Sequence, residues 1–178
     1  MKKKIKSFLN NKKGEYGSTY IFAIYIIIFF AILSIVFGKI HMIILNAQRV
    51  KESMKEACLY VMTSNWDELY GSIREGYAGA YNYEGEALID PERVYDIMQK
   101  ELNTVKNEKE YIKYGYQNEV VYKYYDIEMN INNTGFKNTS DSYNIDLTLT
   151  YQANIKLVNI NFPITVNLKQ TARWRAKY

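Results

Sequence analysis

Two different hydrophobic periods divide the chain. Residues 21–37 form an almost uninterrupted apolar run, and residues 50–62 then carry an apolar stripe at the spacing of one helical face. From about residue 121 onward, apolar and polar residues alternate strictly. This order predicts a helical N-terminal part followed by a region of β-strands.

The apolar run is long enough for a membrane span. Ser34 is its only aliphatic polar residue, and Tyr25 is a half-polar aromatic. With Tyr20 and Gly38 the run approaches the ~20 helical residues that cross a hydrocarbon core of ~30 Å. We take its anchor residues to be Tyr20, Ile21, Phe22, Phe30 and Phe37. A cleaved secretory signal is the alternative, but its apolar region is shorter and a small-residue cleavage site follows it.

The excess of basic over acidic residues lies at the N-terminal end of the chain. Six lysines precede the span: Lys2, Lys3, Lys4, Lys6, Lys12 and Lys13. Positive charge stays on the cytoplasmic side, so we expect a cytoplasmic N-terminus and a C-terminal domain outside the membrane. From residue 46 onward there are 16 basic and 18 acidic residues, which speaks against a nucleic-acid partner.

The helix is expected to continue beyond the membrane. No Pro or Gly occurs between Lys39 and Trp66, which predicts one helix from about Gly17 to about Ser64. Its second half has an apolar packing face that must be covered by protein: Val50, Met54, Ala57, Cys58 and Val61. The predicted organisation is a basic cytoplasmic leader (1–14), a transmembrane helix (15–45) and an extracytoplasmic domain (46–178).

A second, short helix is predicted after a loop. Residues 65–85 are rich in Tyr and Gly and indicate a short helical turn followed by an irregular loop. Asp90 then suits an N-cap and Pro91 the first helical position. The buried face of this helix is predicted to hold Val94, Ile97, Met98 and Leu102.

The C-terminal alternation predicts an antiparallel sheet of about three or four strands, and hence an α+β fold. The first run places Tyr125, Ile127, Met129 and Ile131 on one face; the second places the odd-numbered residues from Tyr143 to Leu157 there. The third run is apolar at Ile160, Phe162, Ile164, Val166 and Leu168, with Ala172 and Trp174 in phase. The change from odd to even predicts a tight turn or a bulge near Val158 and Asn159.

Three features together resemble one family. They are the Lys12-Lys13-Gly14 junction, the apolar span just after it, and the following LNAQRVKESMKEACLYV (45–61). In this order they resemble the TadE-like pseudopilins of tight-adherence (Flp-type) pilus systems, which belong to the pilin-like proteins. The resemblance implies a pilin-like outer domain and a prepilin-peptidase cut after Gly14, with Glu15 as the new N-terminus. Such chains often have Glu at the fifth position after the cut; here Thr19 stands there, so cleavage and an uncleaved anchor both stay open.

The resemblance also implies a function and partners. The chain would be a membrane-anchored structural or assembly subunit of a type IV-like pilus or a related secretion system. Its partners would be the lipid bilayer, sister pseudopilins, a platform membrane protein, a cytoplasmic assembly ATPase and a prepilin peptidase. A single-span envelope binding protein is the alternative, with contacts through a Tyr-rich loop that holds Tyr70, Tyr77, Tyr81 and Tyr83.

The composition limits the chemistry. One Cys (Cys58) and one His (His41) allow neither a disulfide within the chain nor a Cys/His zinc site. The acidic residues between Asp67 and Asp90 lack the ligand spacing of a calcium loop, and no nucleophile-and-base motif occurs. We therefore expect no enzyme activity, no metal and no cofactor. Cys58 is expected to be buried, with an intermolecular disulfide as the alternative.

Overall fold

The computed structural model describes the backbone of residues 2–74, 90–132, 142–157 and 160–175. Side chains are described for residues 19–64, 90–132, 144–156 and 161–173. The chain divides into two compact units: unit 1, Met1–Ile43, and unit 2, Ile44–Tyr178. The fold is α+β, as predicted.

Two helices and five strands make up the described part. In chain order they are α1 (Lys2–Arg74), α2 (Pro91–Leu102), β1 (Val105–Asn107), β2 (Glu110–Tyr114), β3 (Val120–Asn132), β4 (Ser142–Leu157) and β5 (Ile160–Arg175). The strands form one sheet in the order β1-β2-β3-β4-β5, and every neighbouring pair is antiparallel. The sheet therefore has more strands than the three or four expected.

Helix α1 is longer at both ends than predicted. It begins at Lys2 rather than near Gly17, because Gly14 and Gly17 weaken a helix without ending it and residues 2–13 contain no Pro or Gly. It ends at Arg74 rather than near Ser64, since a single Gly71 costs only about 1 kcal/mol relative to Ala and does not stop a helix. The predicted loop after it lies largely in residues 75–89, outside the described residues.

Helix α2 has the predicted start. The Asp90 carboxylate accepts a hydrogen bond of 3.0 Å from the Glu92 N–H, and Pro91 occupies the first turn. Asn103 ends the helix in the left-handed conformation, with φ 49°. Three of the four predicted core residues, Val94, Met98 and Leu102, are buried, whereas Ile97 is half-buried because it lies at the margin of the apolar stripe.

Two polar contacts fix α2 against the part of α1 that belongs to unit 2. Ser53 Oγ donates to Glu101 Oε2 at 2.6 Å, near the end of α2. Arg93 Nη2 donates to Ser64 Oγ at 3.0 Å, near its start. The later residue of α1 thus meets the earlier residue of α2, so the two helical segments run antiparallel.

One face of the sheet is buried together with the helical stripes, and we call it the inner face. Strand β4 supplies it with Ile145, Leu147, Leu149, Tyr151, Ala153 and Ile155. The polar residues that alternate with them, from Asn144 to Lys156, are half-buried or exposed. The alternation predicted for β4 is thus present over its described side chains, while those of Tyr143 and Leu157 lie outside them.

The β1–β2 hairpin was missed by the sequence reasoning. All three residues of β1 are exposed, so the strand is too short and too polar to show an alternating period. In β2 both Tyr111 and Ile112 are buried, which also hides the period of two. Its tight turn passes through Glu108, which adopts a positive φ of 52°.

The face predicted for Tyr125 is wrong, because β3 contains a β-bulge directly after it. The register of β3 on β4 shifts between Tyr125 and Glu128, where Asp126 has φ 51°. Before the bulge the buried residues are Tyr122 and Tyr124, and Tyr125 is half-buried. The extra residue changes the phase, so that Ile127, Met129 and Ile131 follow on the inner face.

The change of phase between β4 and β5 follows from their pairing. Leu157 pairs with Ile160, and each odd-numbered residue of β4 therefore faces an even-numbered residue of β5. Residues 158–159, where the turn was predicted, lie outside the described residues. As the last strand of the sheet, β5 is covered unevenly: Leu168 and Ala172 are buried, but Phe162 and Val166 are 50% and 43% exposed.

Four tyrosines form an aromatic layer in the core. The rings of Tyr111 and Tyr124 are stacked at 5.0 Å, and those of Tyr122 and Tyr151 lie 5.3 Å apart. The Tyr124 hydroxyl is 3.1 Å from Thr104 Oγ1, and both groups are buried. The Tyr151 hydroxyl is also buried, but it has no hydrogen-bond partner among the described residues.

The stripe on α1 gives the first prediction. Met54 is fully buried, so Met54→Asp places an unpaired charge in the core and is expected to lower the free energy of unfolding by more than ~3 kcal/mol. Val50→Asp and Val61→Asp are expected to act similarly. Thermal unfolding and protease resistance of the detergent-solubilised full chain measure the effect. The matched control is Lys51→Asp, which adds the same carboxylate at an exposed position of the same helix; wild-type resistance of the Met54 variant would refute the packing.

The aromatic layer gives the second prediction. Tyr151→Phe removes a buried hydroxyl without a partner, so it should raise the free energy of unfolding by about 1 kcal/mol. Tyr124→Phe removes the same atom but leaves the Thr104 hydroxyl buried and unpaired, and it should lower stability by about 1–2 kcal/mol. Chemical denaturation of both variants tests the opposite signs, and a shift in the same direction for both would contradict the assignment.

Candidate functional site

The apolar run of α1 has the properties of a membrane span. Within the described residues, one helix is long and apolar enough to cross a membrane. The most apolar part of this helix is not buried inside the protein. The anchor residues predicted from the sequence are all exposed: Tyr20, Ile21, Phe22, Phe30 and Phe37. An exposed apolar surface of this kind needs lipid or another protein around it.

The span contains no charge from Thr19 to Gly38, and polar side chains are exposed beyond its C-terminal end. Lys39 and His41 lie there, at positions suited to the polar surface of a bilayer. The predicted processing residues, Gly14 and Glu15, belong to the helical backbone of α1, and their side chains are outside the described set.

The five predicted packing residues of α1 lie together on one buried stripe. Val50, Met54, Ala57 and Val61 are fully buried, and Cys58 is 1% exposed. Met62 and Ser53 are buried beside them, and the sequence reasoning had not assigned Ser53 to the core. Its hydrogen bond to Glu101 explains how a hydroxyl is accommodated there.

The Cys58 thiol is in an environment that suppresses its reactivity. Burial raises the pKa of Cys58 to about 12, so that the thiol stays protonated at neutral pH. A thiolate is the nucleophilic form, and reactive cysteines have a lowered pKa in partly exposed sites. The geometry around Cys58 is that of a packing residue.

A pair of carboxyl groups joins α1 to α2 at the surface. A hydrogen bond between Glu56 and Glu101 raises the pKa of Glu56, and the charge of Glu101 adds to the effect. Glu101 also accepts the hydrogen bond from Ser53. The neighbouring carboxyl group of Glu101 thus favours the protonated form of Glu56.

The acidic residues considered for calcium are not gathered into a site in the described part. Asp90 caps α2, and the side chains of the others, from Asp67 to Glu86, lie outside it. No group of three or more His, Cys, Asp or Glu side chains that could hold a metal occurs among the described residues. The side chains of the Tyr-rich loop, Tyr70, Tyr77, Tyr81 and Tyr83, are likewise outside them.

A shallow depression of about 270 Å³ lies on the face of the sheet opposite the inner face. Its lining includes Ile112, Val121 and the ion pair of Lys123 Nζ with Glu110 Oε1, which are 2.7 Å apart. The ion pair is part-exposed and contributes little to stability. Strand pairing brings these residues together from separate parts of the chain, so the sequence alone did not indicate them.

Comparisons of the chain with protein-family models, with curated proteins and with solved structures found no match.

Proposed function

We propose that the chain is a membrane-anchored pseudopilin, a structural or assembly subunit of a tight-adherence pilus or a related secretion system. The observation that carries the proposal is that the two parts of α1 differ in the exposure of their apolar side chains. Its residues from Tyr20 to Phe37 are apolar and exposed, whereas Val50 to Met62 supply a stripe that is buried with the inner face of the sheet. A helix with these two parts suits a subunit that is held in a bilayer and carries a domain outside it.

The proposed mechanism is packing rather than chemistry. The span anchors the subunit and meets the spans of neighbouring subunits in the bilayer, where van der Waals contacts drive helix association. The sheet of unit 2 offers lateral contacts outside. The proposed partners are the lipid bilayer, sister pseudopilins, a platform membrane protein, an assembly ATPase and a prepilin peptidase.

Thr19 distinguishes this chain from a standard filament subunit. In pilin-type chains the glutamate at the fifth position pairs its charge with the terminal amine of a neighbouring subunit, because an unpaired charge in lipid is costly. Thr19 carries no charge. The proposal therefore has two versions: a subunit that is processed at Gly14 and enters an assembly, or a subunit that keeps an uncleaved anchor and stays at the base.

The N-terminus of the mature protein tests this proposal. We expect the protein purified from membranes of its native host to begin at Glu15, because the basic–Gly–apolar junction suits a prepilin peptidase. Intact-mass measurement and N-terminal sequencing give the answer. A start at Met1 would indicate an uncleaved anchor and favour a stationary assembly factor or an envelope binding protein.

Two glycine variants control that measurement. Gly14→Val is expected to abolish cleavage, while Gly17→Val makes the same change three residues later and should leave the start at Glu15. Loss of cleavage in both variants would show that the effect is not specific to the junction.

The orientation is tested separately. A membrane-impermeant maleimide added to spheroplasts is expected to label Lys109→Cys, an exposed position in the β1–β2 turn of unit 2. The wild-type protein is the control, since its Cys58 is buried and protonated. Labelling that appears only after the membrane is permeabilised would reverse the proposed orientation.

A further inference from the structure

One end of the sheet in unit 2 carries an unusual set of exposed side chains. The β2–β3 connection, residues 115–119, lies at this end, and the β4–β5 hairpin closes there through the pair Leu157 and Ile160. We call it the turn end. The opposite end holds the β1–β2 turn and the start of β4.

Exposed apolar side chains of the sheet are concentrated at the turn end. Of the seven large ones on the strands and turns of the described part, five belong to it: Tyr114, Tyr116, Val120, Val121 and Phe162. Tyr116 is the most exposed, at 88%. Among the residues whose side chains are described, the opposite end presents Asn107, Glu108, Lys109 and Asn132, which are polar and exposed.

The backbone of the β2–β3 turn holds Tyr116 outward. Gly115 N–H donates to Glu119 O at 2.8 Å, and Glu119 N–H donates to Tyr116 O at 3.2 Å. A Cβ on Gly115 would lie only 2.8 Å from a methyl group of Val121, so the turn packs tightly on β3. Gln117 adopts φ 55°, which keeps the turn compact. The hydrogen-bonded turn therefore keeps the Tyr116 side chain exposed.

The length of chain between the span and unit 2 limits how far the turn end can lie from a membrane. Ser53 of α1 donates to Glu101, and the carbonyl of the next residue, Leu102, accepts a hydrogen bond of 2.9 Å from Lys113 Nζ. Lys113 pairs with Tyr122 just before the β2–β3 connection, so the start of the α1 stripe, with Arg49 one helical turn before Ser53, lies towards the turn end. Arg49 follows Phe37, the last residue of the apolar run, by only twelve positions. Even fully extended, this stretch reaches no farther than ~40 Å.

The chemistry of the turn end suits the headgroup layer of a bilayer. Tyrosine is enriched at membrane–water interfaces, because its ring can contact the apolar part of the lipid while its hydroxyl forms a hydrogen bond with water. Lys156 is exposed at the same end, and its ammonium is suited to lipid phosphate. A water-facing surface gives no comparable reason to expose Tyr116, Val120 and Phe162 together.

We propose that the turn end rests in the headgroup layer of the bilayer, with the Tyr116 ring at the interface. This rests on the proposed function, because it is the anchor that holds unit 2 beside the membrane. The bilayer is thus the partner of this surface, and the contact restricts how unit 2 can move on its tether.

Spin labels on the full chain in phospholipid vesicles test the proposal. Glu119→Cys places a label in the turn and leaves Tyr116 intact, and Lys109→Cys places one in the turn at the opposite end. The relaxing agents are oxygen, which concentrates in lipid, and a water-soluble nickel complex equilibrated across the vesicles by freeze–thaw. We expect the oxygen-to-nickel collision ratio at Glu119→Cys to be several-fold higher than at Lys109→Cys, and adding Tyr116→Ser should lower it.

Two references make the outcomes distinct. Ile28→Cys reports on the span itself, and the wild-type protein, whose only thiol is the buried Cys58, gives the background. Equal ratios at Glu119→Cys and Lys109→Cys, with a high ratio at Ile28→Cys, would overturn the docking of the turn end alone. A low ratio at Ile28→Cys would overturn the membrane anchor. A ratio at Glu119→Cys that Tyr116→Ser does not change would overturn the role given to Tyr116.

Discussion

The burial of the α1 stripe with the inner face of the sheet is the interaction on which the rest of unit 2 depends. An antiparallel sheet with one apolar face cannot be stable in water alone, and a helical stripe has the same need. Each fully buried aliphatic side chain contributes about 1.5–3 kcal/mol, and the stripe from Val50 to Met62 holds several of them. Helix α2 completes the cover with Val94, Met98 and Leu102. The sheet order, the aromatic layer and the displayed turn all depend on this cover.

The parts of the fold that the sequence predicted are those on which burial imposes a period. The stripe on α1 and the alternation in β4 could be predicted because one side of each element is buried and the other faces water. The prediction failed where burial does not impose a clear period on the apolar residues. In the YKYY of residues 122–125 three of four side chains are tyrosine, so neither face stands out, and only the bulge at Asp126 decides that Tyr124 is buried and Tyr125 is not. The exposed strand β1 is too short to show a period at all.

The candidate sites divide in the same way. Lipid imposes a composition on a span, and the apolar run of α1 is therefore visible from the sequence. Proteolytic processing depends on recognition by another protein. The backbone at Gly14 and Glu15 is ordinary helix, which by itself does not distinguish a cleavage site. The turn end was not predictable, because Tyr116 and Phe162 come to the same end only through the pairing of β2 with β3 and of β4 with β5. Eighteen tyrosines in the chain gave no reason to single out one of them.

The backbone conformation also restricts the sequence, at positions that the hydrophobic pattern does not involve. Five residues other than Gly have a positive φ: Asn103, Glu108, Gln117, Asn118 and Asp126, in the described part of the chain. Asn and Asp tolerate this conformation, whereas Glu108 and Gln117 have no side-chain adaptation to it and carry a strain of about 1 kcal/mol each. Gly, Asn or Asp at any of these five positions is compatible with the backbone at little cost, whereas a Cβ at position 115 would meet Val121. The turns therefore restrict the choice of residue at positions where burial imposes no restriction.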